Sequence, residues 1–105
     1  MDEKVIAVDF DGTLCEANFP WIGRPRWEII DALKKEIDEG ARVILWTCRS
    51  DEEGGHDYLT QAVEWCAKEL DLTFDAVNED IPGRKFGTSR KVNADEFWDD
   101  KAKEV

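Results

Sequence analysis

Histidine and paired cysteine are scarce in this chain, and their scarcity removes whole classes of chemistry. His56 is the only histidine, and Cys15, Cys48 and Cys66 are an odd number with no CxxC spacing around it. A structural zinc site and a disulfide framework are therefore excluded as organising features, and a reduced cytoplasmic compartment is expected. Positive charge is also short. With 14 Lys and Arg against 25 Asp and Glu, the net charge is −11, the wrong sign for bulk binding to nucleic acid or to an anionic membrane surface. No run approaches the ~18 consecutive apolar residues of a membrane span, and the N-terminus lacks the basic and long apolar segments of a secretory signal.

What is present points to one packed domain over residues 1–105. The apolar fraction is 42%, with five tryptophans, and a chain of this length supports one modest core. Residues 4–10, "KVIAVDF", carry consecutive apolar positions rich in β-branched side chains, as in a strand buried on both faces. Residues 11–25 hold two glycines and two prolines, which predicts a long irregular connection with a small hairpin. Trp27, Ile30, Leu33 and Ile37 recur at helical spacing over 26–39, with Pro25 before them and Gly40 at the stop.

A second strand is expected within 41–50, a second helix over 57–70, a short strand at 73–78 and a fourth at 94–100. This alternation predicts an α/β fold: a three-layer, Rossmann-like parallel sheet in the order 3-2-1-4 with flanking helices. Trp27, Trp46 and Trp65 read as core, Cys15 and Cys66 as small packing residues, and Trp21 as a residue at a substrate entrance. The tail "KAKEV" reads as solvated, with no final edge strand, so oligomerisation is one way to cover the exposed edge.

Ligands of such folds bind where the strands end. Asp9 and Asp11 follow the first strand, Thr47 and Cys48 the second, and Asp99 and Asp100 the fourth, with Lys91 just before it. Four carboxylates sharing one partly buried site require a cation. Oxygen donors without imidazole or clustered thiolate favour Mg²⁺ over zinc. Metal and lysine together leave room for a phosphate, so phosphoryl transfer is the expected chemistry. A thiol-phosphatase built on Cys48 is excluded, because the arginine that closes such a phosphate loop is absent: position 54 is Gly54.

These stretches resemble the four motifs of the haloacid dehalogenase superfamily: "DFDGT", then "VILWTCRS", then Lys91, then "EFWDD". "FPWIG", "AVEWC", "FDAVNED" and "SRKVNADEFWDD" resemble a subfamily of small hydrolases without a cap domain, and the resemblance spans nearly the whole chain. It implies that Asp9 is the nucleophile forming an aspartyl phosphate, with Asp11 as general acid and base. It further implies that Asp9, the Asp11 carbonyl and Asp100 hold Mg²⁺ while Asp99 stands behind them near Lys91. Gly12, Thr47, Cys48 and Lys91 would bind the phosphoryl oxygens. Lys85 and Arg90 share the basic loop, and the spacing to "ADEFWDD" is what favours Lys91.

The resemblance thus implies a phosphatase acting on a phosphomonoester, either a small molecule or a nucleic-acid end. A phosphotransferase using the same residues is the alternative, as is a non-enzymatic phospho-accepting or acidic binding module. Two positions depart from the subfamily: Lys101 stands where arginine is usual and Trp98 where isoleucine is typical.

Overall fold

The computed structural model describes residues 3–81, 94–99 and 103–104. Strand β1 (Val5–Val8) lies at the centre of the sheet, and all four of its residues are buried. Helix α1 (Trp27–Asp38) leads to β2 (Arg42–Leu45), and α2 (Tyr58–Glu69) leads to β3 (Ala76–Val77). Strand β4 (Glu96–Trp98) and β5 (Lys103–Glu104) complete the sheet.

The strand order is β3-β2-β1-β4-β5, and the first four strands run parallel, as the alternation of elements predicts. Strand β5 corrects the expected absence of an edge strand, because it pairs antiparallel with β4, Phe97 opposite Glu104 and Trp98 opposite Lys103. Backbone pairing fixes it, and its two residues are too few to show an alternating pattern.

Alternation along the strands divides the interior in two. Ile6 and Val8 of β1 and Val43 and Leu45 of β2 pack with Ile30 and Leu33 of α1 and with Ala62 and Cys66 of α2. Val5, Ala7 and Ile44 face the other way, with Ala76, Ile81 and the half-buried Trp46 and Phe97. Both described helices thus cover one face, and the opposite face is buried as well.

Local signals explain where the elements stop. Gly40, at φ +103°, ends α1, and its N–H donates to the Ile37 carbonyl at 2.9 Å. The first turn of α2 is capped from outside the helix: Asp51 Oδ1 accepts from the N–H groups of Leu59 (3.0 Å) and Thr60 (2.9 Å). Where β1 and β2 begin, Asp95 and Asp75 carboxylates accept the amides of Val5 (2.7 Å) and Val43 (2.8 Å). Trp27 departs from its expected place in the core. It occupies the first turn of α1, ahead of the buried pair Ile30 and Leu33, and is about half exposed.

The long connection contains the expected small pairing. Cys15 lies opposite Pro25, Glu16 N–H donates to the Arg24 carbonyl (2.8 Å), and Arg26 N–H donates to that of Leu14 (2.9 Å).

Candidate functional site

The ends of β1, β2 and β4 enclose a cleft of about 310 Å³. Asp9, Thr47, Cys48 and Asp99 line it together with the apolar Ala7, Trp46, Phe97 and Trp98. Asp9 follows directly on β1, and its N–H continues the ladder to the Trp98 carbonyl (2.9 Å). Its Oδ1 accepts from the Phe10 N–H at 2.8 Å, which fixes the orientation of the carboxylate. The register Ala7 to Phe97 and Val8 to Trp98, carried one step further, sets Asp99 beside Asp9 on the same face. Two carboxylates from two neighbouring strands therefore meet in one opening.

Thr47 and Cys48 form the opposite lip. Thr47 N–H donates to Asn78 Oδ1 (2.8 Å), and Asn78, held in the left-handed region at φ 54°, donates its own N–H to the Leu45 carbonyl (2.7 Å). The Thr47 hydroxyl accepts from the Arg49 N–H at 3.2 Å, a local turn that fixes its oxygen. Cys48 lies exposed between them, and its N–H has no hydrogen-bond partner among the described residues. A fixed hydroxyl beside an open amide suits an anion.

Asp11 is placed differently from its expected position alongside Asp9. The strand ends at Val8 and the chain turns at once, with the N–H groups of Thr13 and Leu14 both donating to the Phe10 carbonyl (3.2 and 3.0 Å), so alternation does not extend to residue 11. Both Asp11 oxygens accept from Arg49: Nε reaches Oδ2 and Nη2 reaches Oδ1, each at 2.8 Å. Asp11 is absent from the cleft lining.

Arg49 is the residue that the sequence did not reveal. It is only 2% exposed, and its guanidinium lies over the Phe10 ring at 4.9 Å and the Phe19 ring at 5.0 Å. Its remaining N–H groups donate to the carbonyls of Trp21 (3.0 Å), Tyr58 (3.4 Å) and Pro20 (3.5 Å). One cation thus ties the end of β1, the long connection and the start of α2 together. An arginine in "TCRS" reads as surface charge, and only the connection folding back makes it interior.

Gly12 turns the chain at φ +86°, and its amide donates to the Cys15 carbonyl at 2.8 Å. Its expected contribution of an amide to a phosphate is corrected by that bond. Phe10 is fully buried and meets Trp65 edge-on at 5.7 Å. Trp46, expected in the core, is half-buried on the cleft wall, and Trp21 is 70% exposed, outside the cleft lining. Lys91 and Asp100 lie outside the described residues, as do Lys85 and Arg90.

The three thiols are free and divide by burial. Burial pushes the Cys66 thiol up to about 12 and raises that of Cys15 as well, so neither is a reactive thiolate. His56 is exposed and stacks on Tyr58 at 4.9 Å. No group of three or more His, Cys, Asp or Glu gathers into a metal centre among the described residues. Asp9 and Asp99 supply two carboxylates. That donor set fits Mg²⁺, which takes one or two protein carboxylates and fills its shell with water and phosphate oxygens. No helix among the described residues is long and apolar enough to cross a membrane.

No family model matches the chain, and no curated protein does. It is similar to a solved structure, that of a conserved protein coded by a locus from Bacteroides thetaiotaomicron, at 41% identity and a TM-score of 0.78. The match covers 95% of this chain and 78% of the other. With that identity over most of both chains, this protein belongs to the family of the conserved Bacteroides thetaiotaomicron protein.

Proposed function

We propose that this chain is a Mg²⁺-dependent phosphatase of the haloacid dehalogenase type, which hydrolyses a phosphomonoester through an aspartyl phosphate on Asp9. The observation that carries the reading is the convergence of Asp9, Asp99, Thr47 and Cys48 on one cleft at the strand ends. The resemblance of "DFDGT" to the first motif of that superfamily supports the roles given to Asp9 and Asp11.

Asp9, held by the Phe10 N–H, would attack phosphorus in line as the bond to the leaving oxygen breaks. The Thr47 hydroxyl and Cys48 amide would hold the phosphoryl oxygens, and Lys91 would stabilise the charge that spreads over them. Bound Mg²⁺ would supply charge neutralisation and alignment of the phosphoryl group, with Asp9, the Asp11 carbonyl and Asp99 or Asp100 as its protein ligands. Asp11 would protonate the leaving oxygen and then deprotonate the water that splits the intermediate. Both its oxygens accept from Arg49 in the structure, so a turn of its side chain out of that fork belongs to the proposed cycle. The three free cysteines support a reducing, cytoplasmic setting.

A panel of phosphomonoesters assayed for inorganic phosphate, with Mg²⁺ and then with chelator, tests the reading. Release that needs the metal is expected. Release from no ester, or release undiminished by chelation, overturns it.

A further inference from the structure

We infer that the organic part of the phosphoester is a planar aromatic group, seated between Trp46 and Phe97. The inference rests on the phosphatase reading of the same cleft and adds the class of substrate. On the face away from the helices β1 carries Ala7, with Phe97 beside it on β4 and Ile44, then Trp46, along β2. Ala7, a methyl level with Phe97 and diagonal to Trp46, leaves a recess between the two rings. Ala7, Trp46 and Phe97 line it, and it opens onto Asp9 and Thr47.

Its volume, about 310 Å³, lies at the small end of ligand sites, enough for one ring system and a phosphate. The lining chemistry decides which organic group fits. The carboxylates and the hydroxyl are those assigned to the metal and the phosphoryl group, which leaves Ala7, Cys48 and the aromatic Trp46, Phe97 and Trp98 for the rest of the ligand. A sugar or polyol would surrender its hydration to rings that return no hydrogen bonds beyond the indole N–H. A flat aromatic group loses little hydration and gains contact with the aromatic lining. Nucleoside monophosphates and aryl or pyridoxal phosphates share that chemistry.

The test compares kcat/KM for adenosine monophosphate and pyridoxal phosphate with that for ribose phosphate and glycerol phosphate. The aromatic esters should lead by about tenfold or more. That ratio should collapse toward one in Trp46→Leu and persist in Trp46→Phe. If Trp46→Leu fails to fold, Phe97→Leu provides the same readout. Adenosine monophosphate and pyridoxal phosphate, as separate arms, tell a nucleobase from a simple aryl group. Glycerol phosphate turned over as well as the aromatic esters overturns the inference and leaves the phosphatase standing. If no ester is turned over, the phosphatase reading falls. Calorimetric binding to the full chain then decides: adenosine monophosphate bound more tightly than ribose phosphate sustains the slot, and equal or absent binding overturns it.

Discussion

On one face of the sheet Ile6 and Val8 pack with both helices into a continuous interior, whereas on the other Val5 and Ala7 pack with Ile44, Ala76 and Ile81 and lead to the cleft. The same strand serves both faces, and alternation alone assigns its side chains. Large aliphatic residues close the helix face. A single alanine, level with Phe97 and diagonal to Trp46, opens the other. Asp9 continues the cleft face, while Phe10 drops into the helix-side core and Asp11, past the strand, is drawn to Arg49. Two aspartates separated by one residue thus have different surroundings, one beside Asp99 in an opening and the other in a partly buried ion pair with Arg49.

The largest expected effect falls on the cleft face. Asp9→Asn should lower phosphate release by roughly three orders of magnitude or more, with thermal unfolding little changed, as measured by steady-state kinetics and calorimetry. Arg49→Ala should act chiefly on stability. Removing a cation that is 2% exposed leaves Asp11 unanswered and detaches the Trp21 and Tyr58 carbonyls. A loss of about 3–5 kcal/mol is expected in urea unfolding. Arg49→Lys, which keeps charge but not the fork, should recover only part of it.

The thiols sharpen the contrast between interior and cleft. Iodoacetamide should label Cys48 alone in the native protein, followed by mass spectrometry, because Cys15 and Cys66 are buried and their thiols are raised by burial. Inorganic phosphate with Mg²⁺ should slow labelling of Cys48.

The smallest effect concerns the start of α2. Hydrogen bonds from the Thr60 hydroxyl and backbone, then from the Leu59 N–H, hold the Asp51 carboxyl below its ordinary value. Its folded value is depressed, so its stabilisation is complete above the ordinary carboxylate range and is lost as pH falls through the folded value. Asp51→Asn should lower the unfolding midpoint slightly at neutral pH, and that difference from wild type should vanish in acid.

The order of parallel strands was legible because a buried strand announces itself by consecutive β-branched residues, and β1 does so in "VIAV". The placement of Asp9, Thr47 and Cys48 follows from the strand ends they adjoin. Asp11 parts from Asp9 because the strand ends at Val8 and the chain turns about the Phe10 carbonyl, which no side-chain pattern in "DFDGT" signals. Arg49 was invisible because its burial depends on Phe19, Pro20 and Trp21 returning over it from a distant part of the chain. The apolar cluster "FPW" inside an otherwise polar connection was the available signal. Strand β5 escaped because backbone pairing leaves no side-chain pattern in two residues.

The central claim is that Asp9 accepts the phosphoryl group. Turnover of a phosphomonoester with Mg²⁺, quenched in acid and reduced with borohydride, should convert an aspartyl phosphate to homoserine, read by peptide mass spectrometry. Homoserine at position 9, absent without substrate, is the predicted result. Homoserine at another aspartate, or phosphate release that persists in Asp9→Asn, would contradict the account.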